Sequence, residues 1–494
     1  MSRIEKDPIE TLEVLVTADE AFPALERLFL SAETEIRAGF RIFDLATKLR
    51  SKEAKEIGET WFDLFQHTVN RGVTISLLLS DFDPIVGTKY HRKSWRSAQQ
   101  MAGVDEISAD GKLDFRVARH PAKAGIFPRL MLWKKVRDKL RETPTDCYTP
   151  GLRPVSPDSF FDISPVTHHQ KLAVFDRKTL YIGGLDLDER RYDTPDHNQL
   201  SSESWRDVQV IVTGSVAAAA HRHLETLEGT VAGKSPPPPA ALGFLRTVSA
   251  KRLFAPFHIS PKTRVSEIED AHMTAISRAT ELIFLENQYL RHEPLADALA
   301  EAAVKTPNLH LIAVLPAAPE DVAFDGNKGQ DAQLGEHLQA NAVKTLREAF
   351  GHRVLLCAPA QPYAAQHTDD RSSLAGAPII YVHSKVSIFD DREAIVSSAN
   401  LNGRSFRWDT EAGVHLTQKE HVARLAQRMS DTWMPQAPAL LSTRPETVLA
   451  AWRAEVERNE ALRPDQRRSF LLPYDETEAA RLGQSIPIVP NELV

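Results

Sequence analysis

The stretch His169-Gln170-Lys171-Leu172-Ala173-Val174-Phe175-Asp176 runs on to Gly183-Gly184-Leu185-Asp186. It is answered 214 positions later by His383-Ser384-Lys385-Val386-Ser387-Ile388-Phe389-Asp390 and Ser397-Ser398-Ala399-Asn400. His383 corresponds to His169, Lys385 to Lys171, Asp390 to Asp176 and Asn400 to Asp186. A fixed offset of this kind marks a duplicated structural unit. In a chain of this composition, His-x-Lys-x4-Asp arises by chance at about one position in ten thousand, so two matched copies call for a shared cause.

Each copy reads as strand, tight turn, strand and a loop of small residues. Residues 171–175 and 385–389 are apolar-rich, charged trios follow at 176–178 and 390–392, and 179–182 and 394–396 are strand-like again. Alternate side chains of a strand share a face, so His and Lys at i and i+2 project together. Two Lys offer fixed positive charge to one anion. Two His offer a nucleophile and a general acid. The anion that suits both is a phosphodiester, with the Lys pair, Ser398 and Asn400 on its non-bridging oxygens as charge develops.

These residues resemble the phospholipase D superfamily, whose signature is two His-x-Lys-x4-Asp motifs. The likeness runs over roughly residues 20–435. Within it, Gly183-Gly184-Leu185-Asp186-Leu187-Asp188, Arg191-Tyr192-Asp193-Thr194-Pro195, Ser204-Trp205-Arg206-Asp207-Val208, Ser266-Glu267-Ile268-Glu269-Asp270-Ala271 and Ile283-Phe284-Leu285-Glu286-Asn287-Gln288-Tyr289 are similar to the phosphatidylcholine-type enzymes of eukaryotes and some bacteria. Two departures stand out. Gly184 and Asp186 occupy positions where Ser and Asn are commoner, and the second loop begins Ser397-Ser398 rather than Gly-Ser.

The resemblance implies two similar α/β/α sandwich lobes with mostly parallel sheets, joined as one pseudo-twofold catalytic unit. It implies headgroup hydrolysis of phosphatidylcholine or a related phospholipid to phosphatidic acid, with His169 as nucleophile, His383 as acid and base, and an alcohol able to replace water. The reverse assignment of the histidines is the rival. Each histidine needs a carboxylate on its far nitrogen. The family places one downstream of each motif, at positions matching Asp207 and Glu411; which histidine each serves is open, because the halves can cross over. Asp186 and Glu286 join Ser398 and Asn400 as expected phosphate- or substrate-binding residues. Asp176 and Asp390, at the turns, are expected to be structural. The alternatives are a cardiolipin synthase-like phosphatidyl transferase and a nuclease of the same superfamily. A binding-only descendant would have lost a His or Lys, and all four stand.

With 494 residues the chain has room for two lobes. A net charge of −7 provides no general basic field, so no nucleic-acid partner is expected. The expected partners are a phospholipid and, transiently, a membrane surface, with the chain a monomer. Cys147 and Cys357 are too few for a disulfide framework. No ligand spacing calls for a metal or other cofactor. Nothing reads as a spanning helix or a secretory signal, so the expectation is a cytoplasmic or peripheral membrane protein, with export by a route lacking a cleaved signal left open.

The divisions expected are a first lobe at 1–232, a proline-rich linker at 233–245 around Ser235-Pro236-Pro237-Pro238-Pro239, a second lobe at 246–435 and a tail at 436–494. Residues 262–280 read as one helix, and the tail as a helix followed by irregular chain. Residues 126–140 form an amphipathic pattern whose expected role is a core-facing helix, with an interfacial helix as the alternative. Phe160-Phe161 is a second candidate lipid contact. The loops at 316–331 and 359–377 are expected to rim the cleft.

Overall fold

The computed structural model describes residues 7–108, 112–144, 162–366, 371–486 and 489–494. In both copies the motif strand turns through three residues into its partner: Leu172–Phe175 into Thr179–Gly183, and Lys385–Phe389 into Glu393–Ser397. So short a connection requires antiparallel pairing, and both pairs are antiparallel. Asp176 and Asp390 take positive φ at these turns, 49° and 54°, a conformation that Asp tolerates better than most residues.

The duplication extends far beyond the motifs. The first sheet has the spatial order Thr11–Val16, Val208–Thr213, Thr179–Gly183, Leu172–Phe175, Glu35–Phe40, Thr74–Ser80, Leu113–Ala118. The second repeats that order with Phe244–Ala250, Glu411–Leu416, Glu393–Ser397, Lys385–Phe389, Leu282–Asn287, His310–Val314 and Val354–Pro359. Lys262–Ser266 and Leu471–Pro473 are added at its two edges. Two α/β layers flanked by helices are therefore present, as expected. Their sheets, however, are mixed rather than mostly parallel. In each, only the last three strands of the shared order pair in parallel, because the motif hairpin and its neighbours return directly without crossover helices.

Alternation along the buried strands divides the cores. Leu172 and Val174 face one way, into a core that also contains Val386, Ile388 and Val396 from the second sheet. Ala173 and Phe175 face the other way, toward helices Thr17–Ser31 and Trp61–Asn70. Ile283 and Leu285 likewise face helices Glu267–Arg278, Glu293–Lys305 and Gln330–Phe350. The two halves thus share one continuous apolar core. Helices Ser215–Val231 and Lys419–Trp433 contribute to it from either half. Burial on both faces explains why these strands are unbroken apolar runs.

Several expectations change in detail. Residues 262–280 divide into strand Lys262–Ser266 and helix Glu267–Arg278, the β-branched Thr263 and Val265 lying in the strand's ladder. The tail adds strand Leu471–Pro473 to the second sheet after helix Pro445–Ala461. Helix Ile126–Glu142 forms, but it does not face the core: Leu140 is its one buried residue, and Ile126, Phe127, Leu130 and Met131 are exposed. Cys357 is a buried free thiol. Cys147, Phe160 and Phe161 lie outside the described residues. Among those described, no helix is long and apolar enough to cross a membrane.

The motif aspartates fasten the sheets. Asp176 accepts from Glu33 N, Thr34 N, Thr34 Oγ1 and Glu35 N at 2.7–3.0 Å, capping the chain entering Glu35–Phe40. Asp390 does the same for Leu282–Asn287, through Thr280 N, Thr280 Oγ1, Glu281 N and Leu282 N at 2.9–3.1 Å. For Asp176, burial raises the pKa, but the Thr34 hydroxyl and three backbone N–H groups outweigh it and bring it to about 2. A carboxyl depressed in the folded state stabilises fully above its unfolded pKa, near 4, and loses that contribution as the pH falls toward 2. Asp390→Asn, which retains the tolerated backbone but turns an N–H₂ group toward backbone donors, should cost about 1–3 kcal/mol of stability in denaturant unfolding. Asp176→Asn should additionally weaken the dependence of stability on pH below 4.

Candidate active site

Each histidine is held by the half of the chain to which it does not belong. His169 N donates to Thr410 O at 2.9 Å, and His383 N donates to Arg206 O at 2.8 Å. Short parallel pairings accompany these bonds, Tyr381–Val382 with Trp205–Arg206 and His168 with Thr410. The side chains follow the backbone. His169 Nδ1 lies 2.9 Å from Glu411 Oε1, and His383 Nδ1 lies 2.7 Å from Asp207 Oδ2. The carboxylates expected from the family pattern are thus paired crosswise. A carboxylate at Nδ1 keeps the proton there and leaves Nε2 with its lone pair.

The lysines curl back over their own motifs. Lys171 Nζ donates to His169 O at 2.6 Å and lies 3.9 Å from Asp186 Oδ2. Lys385 Nζ donates to His383 O, and to Gln288 Oε1 at 3.2 Å. All four motif side chains are buried or nearly so, with His169 at 7% and His383 at 2% exposure. Burial, reinforced by Lys171 and Arg41 beside His169 and by Lys385 and Arg191 beside His383, drives both imidazoles well below their ordinary pKa. Burial also raises Glu411 and Asp207, against the pull of Lys171 and Lys385 respectively. Each pair therefore titrates as a unit, and a second proton taken up by a dyad belongs to imidazole and carboxylate together rather than to one of them. Burial lowers Lys385 to about 7, with Asp207 opposing.

A cleft of about 370 Å³ opens onto His169. Arg41, Thr167, Gln288, Tyr289, Asn400 and Arg404 are among its walls. Sequence reasoning passed over Arg41 because position 255, at the motif offset, is alanine, and over Arg404 although Arg190 stands 214 positions before it. Strand register offers the missing signal. Ile36 pairs with Phe175 and Ile283 with Phe389, which places Arg41 where the second half has Gln288. Arg41 rests over the rings of Phe82 and Tyr90, at 5.3 and 5.0 Å, with its Nε buried and without a partner. Asn400 Oδ1 is likewise buried and unpartnered. The loop at 316–331 borders the cleft, as expected, through Glu320, Asp321, Asp325 and Asp331. None of the described residues of 359–377 does so. Leu493 and Val494 also line it, with Val494 O accepting from Asn402 Nδ2 at 3.1 Å.

Three expected ligand residues turn away from the cleft. Asp186 has no exposed side-chain surface; it accepts from Ile42 N at 2.9 Å and is the counter-ion of Lys171. A carboxylate, having no donor, is ill suited to a phosphate oxygen. Ser398 donates to Glu411 Oε2, so it orients the carboxylate that holds His169. Glu286 is fully buried, accepting from Arg206 Nε at 3.0 Å, from Ser384 Oγ and from Trp433 Nε1. It ties the neighbour of Asp207 to the neighbour of His383. One departure in the loops also finds a reason. At Gly184, the counterpart of Ser398, a Cβ would meet Asp207 Oδ1 at 2.2 Å. Asp207 occupies the space that a serine side chain would need.

Comparison with known proteins bears on the family and the fold. Residues 273–433 match the family model described as "Cardiolipin synthase, PLD-like domain". Phospholipase D alpha 2 of Arabidopsis thaliana is 24% identical over 356 residues, covering 48% of this chain and 44% of that protein. Phospholipase D1 of Schizosaccharomyces pombe is 23% identical over 393 residues, covering 59% and 28%. The chain thus spans less than half the length of these curated relatives. In fold it is similar to the crystal structure of phosphatidylserine synthase from Haemophilus influenzae Rd KW20, with a TM-score of 0.54 and 11% identity over 92% of this chain and 94% of that one. The duplicated motif, the fold and these relatives together support placing the chain in the phospholipase D superfamily.

Proposed function

We propose that this chain is a phospholipase D that cleaves the headgroup phosphodiester of phosphatidylcholine or a related phospholipid. The observation that carries the reading is the crossed pair of His–carboxylate dyads, each beside a buried lysine. His169, which lines the cleft, attacks phosphorus through Nε2 and forms a P–N bond. The P–O bond to the headgroup breaks, and the second proton of the His383–Asp207 dyad, delivered from His383 Nε2 while the first stays at Nδ1, converts the leaving oxygen to an alcohol. His383, now neutral, takes a proton from water, whose oxygen displaces His169 from phosphorus. Phosphatidic acid leaves, and both imidazoles return to their starting states. Lys171, Lys385, Arg41 and Asn400 would meet the charge on the phosphoryl oxygens. The acidic loop at 316–331 favours a positively charged headgroup, because phosphate and amine would then face opposite charges across one cleft.

A second reading is phosphatidyl transfer to a lipid alcohol, favoured by the description of the family model that matches 273–433. It uses the same intermediate and differs only in the acceptor. Headgroup release from mixed vesicles, with and without a primary alcohol, distinguishes the two. Hydrolysis without added alcohol supports the lipase, and turnover only with an alcohol supports the transferase. Cleavage of single-stranded nucleic acid with no lipid turnover would refute both. His169→Ala and His383→Ala should each lower the rate by about 10²–10⁴-fold or more. A substrate with a p-nitrophenol leaving group, which needs little protonation, should trap phosphohistidine in His383→Ala and none in His169→Ala.

Two further outcomes follow from the site. The kcat/KM profile should be bell-shaped with its optimum below neutrality. Its acid limb falls below pH 6.5, where a depressed His169 gains its second proton, and its alkaline limb begins near 7, where free Lys385 loses its charge. A flat profile between pH 5 and 9 would contradict these assignments. Gly184→Ser should displace Asp207 and abolish most activity while leaving the far-ultraviolet circular dichroism unchanged.

A further inference from the structure

We propose that the start of helix Ile126–Glu142 and the loop 251–264 form one platform that docks the chain on an anionic phospholipid bilayer beside the cleft. The proposal rests on the lipid reading above and adds the surface through which the substrate would be reached. Its apolar part is contiguous. Phe127 and Phe257 stack with centroids 4.3 Å apart and planes within 5°. Leu253, Phe254 and Phe257 are 94%, 88% and 69% exposed, and Ile126, Leu130 and Met131 add to them.

The two segments come from different halves yet are fixed to each other. Gly125 N donates to His258 O at 2.7 Å, and Phe127 N donates to Pro256 O at 2.9 Å. A Cβ at Gly125 would lie 2.1 Å from Ala255 O, so only glycine permits this approach. The exposed rings are therefore presented by a braced backbone rather than by a free loop.

Charge identifies the occupant. Residues 126–142 contain six basic and two acidic side chains, and 251–264 contain four basic and none acidic, in a chain whose net charge is −7. Exposed Lys134, Lys135 and Lys139 follow the apolar turn of the helix, while Lys251, Arg252 and Lys262 flank the exposed Leu253, Phe254 and Phe257. Apolar side chains beside long basic ones suit an interface of acyl chains and anionic headgroups. A protein partner would not call for so one-sided a charge.

The platform is also in the right place. Ile259 and Leu493 pack in one cluster with Ala122, Val166 and Trp408, and Leu493 lines the cleft. That cleft is walled mostly by charged and amide side chains and has room for a headgroup but not for two acyl chains. The chains of a phospholipid would then have to remain in the bilayer while its phosphate enters, which requires the bilayer to lie against the rim. Phosphatidic acid, the product of the proposed reaction, adds negative charge to that bilayer, so turnover would tighten docking.

The test is sedimentation with vesicles of phosphatidylcholine alone and of phosphatidylcholine with phosphatidylserine. It compares the whole chain with Leu253→Ser/Phe254→Ser and Lys134→Glu/Lys135→Glu, and measures activity on a short-chain, monomeric phosphatidylcholine in parallel. The proposal expects preference for the mixed vesicles, weakening with salt, and affinity at least about tenfold lower in either variant with monomer turnover unchanged. Equal sedimentation of wild type and variants would overturn it. So would a wild-type dimer in analytical ultracentrifugation that the variants abolish, since the patch would then be covered by a second copy. Vesicle binding lost in the variants, with no lipid hydrolysed by any of the proteins, would uphold the platform and defeat the lipase reading instead.

Discussion

The hydrogen bonds from His169 to Glu411 and from His383 to Asp207 make the two halves of this chain a single object. A buried imidazole that must attack phosphorus has to keep its proton on the far nitrogen, and only a fixed acceptor achieves that. Here each acceptor stands at the start of a strand in the opposite sheet, or just before it. The separation between sheets, the register of Glu411–Leu416 and Val208–Thr213, and the turns that send the chain back therefore all bear on the position of two protons. The shared apolar core serves the same end, since any sliding of one sheet over the other would lengthen both bonds together.

Around these dyads the site is built from buried charge, which is costly unless every group is answered. The answers are local and differ between the halves. Asp186 offsets Lys171, while Gln288 receives Lys385. Ser398 supports Glu411, while an absent side chain at Gly184 makes way for Asp207. Arg206 and Glu286 form a fully buried ion pair capped by Trp433, and removing either partner would strand the other. The symmetry is that of the backbone; the electrostatics of the halves are distinct. That asymmetry gives two chemically equivalent histidines different surroundings, with His169 the more open of the two.

The fold and the heart of the site were legible because both are repeated. An offset shared by His, Lys, Asp and Asn identified two copies of a hairpin, and apolar runs at matching distances supplied the sheets. What escaped was whatever the repeat does not share. Periodicity passed over Thr11–Val16 and Phe244–Ala250, which lie near the outer ends of their sheets. Arg41 has no counterpart at the motif spacing. Asp186, Ser398 and Glu286 were expected to touch substrate because they flank the motifs, yet each lies a layer behind the reacting groups. Flanking in sequence shows that a residue is near; it does not show which way its side chain points. The crossing of the carboxylates could not be read at all, since it depends on how two sheets meet. The helix at 126–142 shows the converse difficulty: an apolar stripe looks the same whether protein or something else covers it.

The connection at 232–243, with its four consecutive prolines, is the one place where the chain passes from the first sheet to the second without regular structure. Severing it would yield fragments that each retain a complete His-x-Lys-x4-Asp motif, and by motif counting each would pass for half an enzyme. Neither would possess the carboxylate its own histidine needs. Split at that point, the molecule would be inert in either piece and recoverable only by fragment complementation. By the same logic two copies of one half could serve each other, which is how an arrangement of this kind could precede the fusion of its genes.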